Sequence, residues 1–238
     1  MSSTQNDAID PQFEKKIKNA LEKGTNISLI SYSMAEDTEK KLDKIIFFLL
    51  ERYNQPDDLN TLIYTCTKEL AINGLKANLK RIYFEENKLD INITADYEAG
   101  MQDYKKYLTE EMATVYGRIA KNKRIFVQIT FFHTLHGIRI EVINNSSITS
   151  QEERRLREKL SKVMEYEDLM DFYMANADDT EGAGMGLALI VTLLKKVGID
   201  PNLFRIIIKP DHTLARLEIP FNKNYVPVRE ANTGLGFI

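Results

Sequence analysis

Three glycines stand at alternate positions in Glu181-Gly182-Ala183-Gly184-Met185-Gly186-Leu187, directly before an apolar segment over residues 187–196 with helical character. Glycines at this spacing let the backbone adopt positive φ and approach a ligand without an intervening Cβ. The helix would direct its unpaired N–H groups and the positive end of its dipole at that ligand, which favours a phosphate. Glycine repeats before helices also form plain tight turns, so this motif alone leaves both interpretations open.

A second polar group lies earlier in the chain, on a predicted helix. Positions 69, 73, 76 and 80 fall on one helical face, so Glu69, Asn73, Lys76 and Lys80 project in the same direction beside an apolar stripe. There the amide oxygen of Asn73 suits a magnesium ion, and Lys76 suits a phosphate. On spacing alone, a solvated face with an ordinary Glu–Lys pair is the favoured alternative.

These residues carry a family resemblance. The segment Glu69-Leu70-Ala71-Ile72-Asn73-Gly74-Leu75-Lys76 resembles the asparagine box of the Bergerat-fold ATPases, the superfamily of gyrase, heat-shock chaperones, histidine kinases and mismatch-repair ATPases. The segment from Gly182 to Leu187 resembles the later glycine box, and Phe172-Tyr173 precedes it as the aromatic box does in histidine kinases. Predicted strands over 204–208 and 214–220 resemble the end of a kinase catalytic domain. The resemblance covers residues 27–221, and the order and spacing of its motifs make it more specific than either motif alone.

The resemblance implies a fold and a ligand. The expected fold is an α/β (α+β) two-layer sandwich, in which helices cover one face of a mixed, largely antiparallel sheet. The expected ligands are ATP and Mg²⁺, with Asn73 on the metal and Lys76 neutralising phosphate charge. Glu69 is the expected catalytic residue, polarising an attacking hydroxyl or water, although a purely orienting role toward Asn73 explains it as well. Gly182, Gly184 and Gly186 are expected to wrap the triphosphate, and Met185 and Leu187 are further expected cofactor-binding residues.

The chain departs from the family at the expected adenine loop. Superfamily members place an aspartate followed by glycines there, whereas this chain has Asn144-Asn145-Ser146-Ser147. Asn144, or Asn145 in the neighbouring register, keeps an amide oxygen that can accept a bond from the adenine amino group, but without charge. A charge-assisted bond is about 1 kcal/mol stronger, so we expect an affinity lower by roughly tenfold. Serine adopts positive φ less readily than glycine, so we expect a different loop path.

The chain divides into a tail with a short helix over 1–24, an ATPase-like domain over 25–221 and a flexible end over 222–238. An amphipathic helical insertion is expected at about 96–121, with a tyrosine stripe that serves the core or a partner surface. The helix over 36–53 is apolar nearly all round, which predicts burial within its own domain, with a homodimer interface as the alternative. A charged helix over 149–164 is expected to be a solvated cover, and the polar segment 176–181 a mobile lid.

Composition restricts the partners and the location. Lys and Arg number 32 against 35 acidic residues, for a net charge of −3, which gives no electrostatic attraction to nucleic acid. The longest apolar run is six residues, Ile45 to Leu50, far short of the roughly 18 that a membrane span needs, and no signal-peptide pattern is present. We therefore expect a cytoplasmic protein. Cys66 is expected to be buried, and His133 and His136 fit ordinary hairpin positions better than a metal site.

Two functional hypotheses follow. The first is an ATP-binding signalling protein resembling the catalytic domain of histidine kinases, in a two-component-like system. It would transfer phosphate in trans to a serine or histidine of a partner protein, because no histidine here sits on a predicted helix followed by an acid. The alternative is a non-catalytic nucleotide-sensing adaptor that controls its partner by binding, which the altered adenine loop favours.

Overall fold

The computed structural model describes residues 10–107, 110–175 and 184–233. It alternates helices and strands around one sheet. The helices are α1 Pro11–Glu22, α2 Glu36–Arg52, α3 Asp58–Glu86, α4 Thr94–Tyr107, α5 Glu110–Lys123, α6 Ser150–Glu165, α7 Leu169–Ala175, α8 Met185–Lys196 and α9 Val228–Thr233. The strands are β1 Ile27–Ser31, β2 Val127–Thr134, β3 Gly137–Asn144, β4 Phe204–Ile208 and β5 Thr213–Pro220.

The five described strands form one sheet in the order β1-β2-β3-β5-β4. Every pairing between them is antiparallel, whereas a mixed sheet was expected. Adjacent strands β2 and β3 are joined by a tight hairpin with Thr134 opposite Gly137. The prediction of an α+β sandwich is confirmed, although the prediction of a mixed sheet is not.

One face of the sheet supplies the main core. Side chains alternate between faces along a strand, so every second residue of β2 and β3 points to the helices. These positions are almost completely buried, and Cys66 of α3 joins them. Cys66 is buried, as the sequence predicts, and burial raises the pKa of its thiol to about 12, so the thiol remains neutral. The central core side chains on the two strands are Val127, Ile129, Phe131, Ile138, Ile140 and Val142.

Helix α3 crosses this core at close range. At Gly74, a Cβ would lie 3.0 Å from Cγ2 of Val127 and 3.3 Å from Cβ of Asn144. Few real Cβ atoms have contacts this close, so glycine allows α3 to approach β2 and β3. The same approach places the neighbouring Asn73 at the end of β3.

The predicted insertion consists of two helices, α4 and α5, rather than one. The rings of Tyr104 and Tyr116 both contact Tyr83, with centroids 5.6 and 6.4 Å away. On one continuous helix these two residues would lie about 18 Å apart, so the chain must reverse between them. The buried members of this second core, which is separate from the main one, are Leu79, Tyr83, Phe84, Tyr97 and Tyr104. The tyrosine stripe therefore serves a core.

Helix α2 is covered by its own chain, as predicted. Helix α1 packs on it, with an ion pair of 3.0 Å between Lys44 and Glu14 and the ammonium of Lys18 over the ring of Phe48. Phe47 stays 45% exposed.

The C-terminal segment, expected to be flexible, folds back as far as residue 233. The hydroxyl of Tyr225 donates to Oε2 of the buried Glu218 at 2.8 Å, and the backbone N–H of Val228 donates to the same oxygen at 2.9 Å. The segment Gly234-Leu235-Gly236 lies outside the described residues.

Candidate functional site

A cavity of about 460 Å³ lies between α3, α6, the first turn of α8 and the ends of strands β3, β4 and β5. This volume lies in the range of roughly 300–1,000 Å³ that is usual for small-molecule sites. Helix α3 contributes residues from Glu69 to Lys80, and α6 contributes residues from Glu152 to Lys159. Because Glu69 contacts the start of α8 whereas Lys80 contacts Glu152, the cavity extends along about 16 Å of α3.

Eight of the ten predicted site residues line this cavity. Gly182 lies outside the described residues, as does the predicted lid over 176–181. The lining set unites the two motifs that are more than a hundred residues apart in the chain. Its predicted members are Glu69, Asn73, Lys76, Asn144, Gly184, Met185, Gly186 and Leu187.

Asn145 is not part of the cavity, which corrects the prediction of a neighbouring register. Its Oδ1 accepts a hydrogen bond from the backbone N–H of Phe126 at 2.6 Å, and its Nδ2 donates to the carbonyl of Arg124 at 2.8 Å. Both bonds attach the end of β3 to the chain entering β2. Asn145 therefore has a structural role, and Asn144 is the residue that faces the cavity.

The glycine segment closes one end of the cavity. Gly184 precedes α8 with φ of +65°, the left-handed conformation that glycine adopts readily. At Gly186, in the first turn of α8, a Cβ would lie only 1.9 Å from Oε1 of Glu69. The carboxylate of Glu69 thus lies against the helix start, where the dipole and the unpaired N–H groups stabilise negative charge.

Helix α6 forms the wall opposite α3, where a solvated cover was expected. Glu152 and Thr149 form a capping box at its start, and Glu152 also pairs with Lys80 and Arg81 of α3. Burial raises the pKa of the Glu152 carboxyl, but the hydrogen bond from Arg81 and the charge of Lys80 outweigh it and lower the pKa to about 2. This carboxylate is therefore ionised at neutral pH and connects the two walls.

Positive charge exceeds negative charge in the lining. Four cationic side chains line the cavity against the two carboxylates of Glu69 and Glu152, which leaves about +2 on the described lining. Lys76 is exposed and makes no ion pair with any described residue. An excess of cations next to a helix start suits a polyanion such as a phosphate chain. The four cations are Lys76, Lys80, Arg155 and Lys159.

The insertion reaches the cavity through Tyr97 of α4. Nη1 of Arg155 donates to the hydroxyl of Tyr97 at 3.3 Å, and the ammonium of Lys80 lies 5.9 Å from the centre of its ring. The hydroxyl of Tyr104, also on α4, donates to the carbonyl of Lys76 at 2.9 Å. The insertion is therefore attached to the turns of α3 that carry the predicted phosphate-side residues.

The strand ends provide a polar pair in apolar surroundings. Asn144 and Thr213 face each other across the β3–β5 register, and both line the cavity. Oγ1 of Thr213 is buried and has no hydrogen-bond partner among the described residues. A buried polar group without a partner costs free energy, and a ligand that bonds to it would remove that cost. The apolar residues around the pair are Val142, Ile148, Ile206 and Ala215.

Sequence reasoning missed several lining residues, among them three charged residues of α6 and Thr213. Glu152, Arg155 and Lys159 share one face of α6 at steps of three and four residues, so helical spacing could have grouped them once the helix was known to bury a face. Thr213 gives no such signal, because its importance depends on its pairing with Asn144 across the sheet.

The described residues lack two features, a clustered metal site and a membrane-spanning helix. They contain no group of three or more His, Cys, Asp or Glu side chains placed to hold a metal ion. Within the same ranges, no helix has the length and apolar character required to cross a bilayer.

The chain has a relative among known proteins. The chain is 32% identical over 208 residues to an uncharacterized protein of Treponema pallidum (strain Nichols). The aligned region covers 87% of this chain and 40% of that protein, so the chain spans less than half of the relative's length. No protein-family model matches the chain. No solved structure matches it either.

Proposed function

We propose that this protein binds ATP with Mg²⁺ in a Bergerat-type site and transfers phosphate in trans to a partner protein, as the catalytic domains of histidine kinases do. One observation carries the proposal: Asn73 and Lys76 of α3 line the same cavity as Gly184 and Gly186 of the glycine segment. Two motifs that resemble the two halves of one nucleotide site therefore meet in space.

The lining residues fit the two ends of a nucleotide. Thr213, with its unpartnered buried hydroxyl, and Asn144 lie among apolar side chains that suit a base. At the other end, the absence of a Cβ at Gly186 lets the Glu69 carboxylate reach the start of α8, and Lys76 provides a cation. One end of the cavity is apolar and carries two polar groups, and the other end is cationic. This combination supports a nucleoside polyphosphate over a small neutral metabolite.

The residues would act by positioning the nucleotide and by neutralising its charge, because phosphoryl transfer requires little covalent catalysis from a protein. The amide oxygen of Asn73 would hold Mg²⁺, as the resemblance implies, and the ion would neutralise phosphate charge. Lys76 contributes further positive charge. Glu69, which contacts the helix start, would accept a proton from an attacking hydroxyl or orient Asn73.

A nucleotide-sensing adaptor without catalysis is the second candidate. It is favoured by the amide of Asn144 in place of the family's aspartate, because a neutral acceptor weakens the bond to the base. In this candidate the site binds the nucleotide to change the surface offered to a partner. Cytoplasmic location and control of a partner protein belong to both candidates as expectations.

Calorimetric titration with ATP, ADP and GTP, with and without Mg²⁺, tests the site. We expect Mg²⁺-dependent ATP binding in the micromolar range or weaker, and loss of the Mg²⁺ dependence in Asn73→Ala. Asn19→Ala, a change at an exposed position on α1, is the matched control and should bind as wild type. Equal Mg²⁺-dependent binding by Asn73→Ala would contradict the metal role.

Transfer of labelled phosphate separates the two candidates. A kinase should label a protein from a cell extract when given γ-labelled ATP, and Glu69→Gln should abolish labelling while ATP still binds. Binding without label transfer, unchanged by Glu69→Gln, would identify the adaptor instead.

A further inference from the structure

The orientation of the Asn144 amide is set by a chain of hydrogen bonds behind it. An asparagine side chain has a donor end and an acceptor end, so the end facing a ligand decides which ligand atoms it can bond. Asn144 is 7% exposed at the end of β3, and it lines the cavity. The direction of its amide can be deduced from its neighbours, beginning at a group that can only accept.

The first link is the backbone carbonyl of Phe126. Asn78, buried on α3, donates to this carbonyl from Nδ2 at 3.0 Å. Because a carbonyl has no proton to give, the nitrogen of Asn78 must be at that position and its Oδ1 must point the other way. Oδ1 accepts from the hydroxyl of Ser146 at 2.7 Å.

The second link is Ser146. Its one hydroxyl proton goes to Asn78, so toward Asn144 its Oγ can only accept. Nδ2 of Asn144 donates to that Oγ at 3.1 Å and to the carbonyl of Ser146 at 3.4 Å. The nitrogen of Asn144 is thus directed to the loop. Its Oδ1 is left as an acceptor, and no described residue donates to it.

We propose that Asn78 and Ser146 are positioning residues that make the site select adenine over guanine, by holding the Asn144 amide with its oxygen toward the base. This rests on the proposed function. Adenine presents an exocyclic amino group, which donates, whereas guanine presents a carbonyl oxygen at the same position. Two acceptors facing each other leave both without a partner, so we expect ATP to bind at least about tenfold more tightly than GTP.

The test compares ATP and GTP affinities, each with Mg²⁺, across variants of the hydrogen-bond chain. Ser146→Ala removes the closer of the two acceptors that hold the amide and leaves only the backbone carbonyl at 3.4 Å, so the amide turns its Nδ2 toward guanine more readily. The ATP-to-GTP preference should fall about tenfold through weaker ATP binding and stronger GTP binding. Ser147→Ala is the matched control, because the side chain of Ser147 is exposed on the same loop, and it should keep the wild-type preference.

A rescue variant distinguishes positioning from general damage to the loop. An aspartate presents an acceptor oxygen whichever way it turns, so Asn144→Asp in the Ser146→Ala background should restore the preference for ATP. An unchanged preference in Ser146→Ala, or no restoration in the double variant, would overturn the positioning role while leaving the proposed function intact. If the wild type bound neither nucleotide, the proposed function would be wrong and this inference with it.

Discussion

The contact between Glu69 and Gly186 shows how single residues join the two motifs. The carboxylate lies so close to the helix start that no side chain fits at position 186 without displacing it. The absence of a Cβ therefore lets Glu69 of the first motif contact the first turn of α8. We therefore attribute the glycine at 186 to the site and not to the stability of α8, where alanine would be the better helix former.

Gly186→Ala separates these two roles. The new Cβ would displace the Glu69 carboxylate and occupy space beside the helix start, so ATP affinity should fall at least about tenfold. Stability should change little, because alanine is favoured over glycine in a helix by up to about 1 kcal/mol and offsets the displacement. Calorimetry and thermal unfolding on the same samples measure both. Full ATP affinity in the variant would show that the helix start is not part of the site.

Glu152 predicts a specific dependence of stability on pH. Its pKa in the folded state, about 2, lies well below the ordinary value of 4.5, so the ionised carboxylate stabilises the fold above about pH 4.5, and this stabilisation is lost as pH falls toward 2. Between pH 5 and pH 3, the wild type should lose about 2 kcal/mol more free energy of unfolding than Glu152→Gln. Urea unfolding at the two pH values measures the difference. Equal losses would mean that Lys80 and Arg81 do not hold the carboxylate ionised.

At the scale of the elements, the arrangement of the α4–α5 insertion depends on close packing. Gly100 of α4 lies against Phe84 of α3, where a Cβ would be 2.6 Å from the ring. Gly117 of α5 has only ordinary contacts, at 3.6 Å from Ser33 and from the carbonyl of Tyr32. These two glycines therefore form a matched pair of positions on the two insertion helices.

Gly100→Ala should destabilise the protein by about 1–3 kcal/mol, because the second core has no room for the methyl group. Gly117→Ala should be neutral or stabilising by up to about 1 kcal/mol through its helix propensity. Urea unfolding followed by circular dichroism gives both values. Similar effects from the two substitutions would contradict the close packing of α4 on α3.

Elements with a clear period were predictable from the sequence, and elements set by distant contacts were not. Helix α2 and strands β4 and β5 agree with the predicted segments because apolar residues repeat at steps typical of each structure. The insertion keeps one amphipathic period across α4 and α5, so the reversal of the chain is invisible in that pattern. The role of α6 as a cavity wall depends on Lys80 and Arg81, which lie about 70 residues earlier.

The candidate site was predictable to a similar extent. Glu69, Asn73 and the glycines carry local motifs, so their residue types and spacing identify them in advance. Asn145 looked equivalent to Asn144, and only the pairing of β3 with its neighbours separates the cavity residue from the structural one. Thr213 became visible through the same pairing.

At the scale of the whole molecule, a ligand that binds only the folded state must stabilise it. ATP at about one hundred times its dissociation constant should add about 2.7 kcal/mol, which raises the Tm of a domain of this size by roughly 5–10 °C. Differential scanning fluorimetry with and without Mg²⁺ measures the shift, which Asn73→Ala should reduce to the Mg²⁺-free value. A Tm that is independent of ATP would contradict binding to the folded protein.

The most direct test of the shared cavity is a crystal structure of the chain with Mg²⁺ and a non-hydrolysable ATP analogue. We predict the base against Asn144 and Thr213, the metal ion on the amide oxygen of Asn73, and the phosphates beside Gly184 and Gly186. An analogue bound elsewhere, or a cavity filled by the protein's own side chains at saturating analogue, would contradict the nucleotide site.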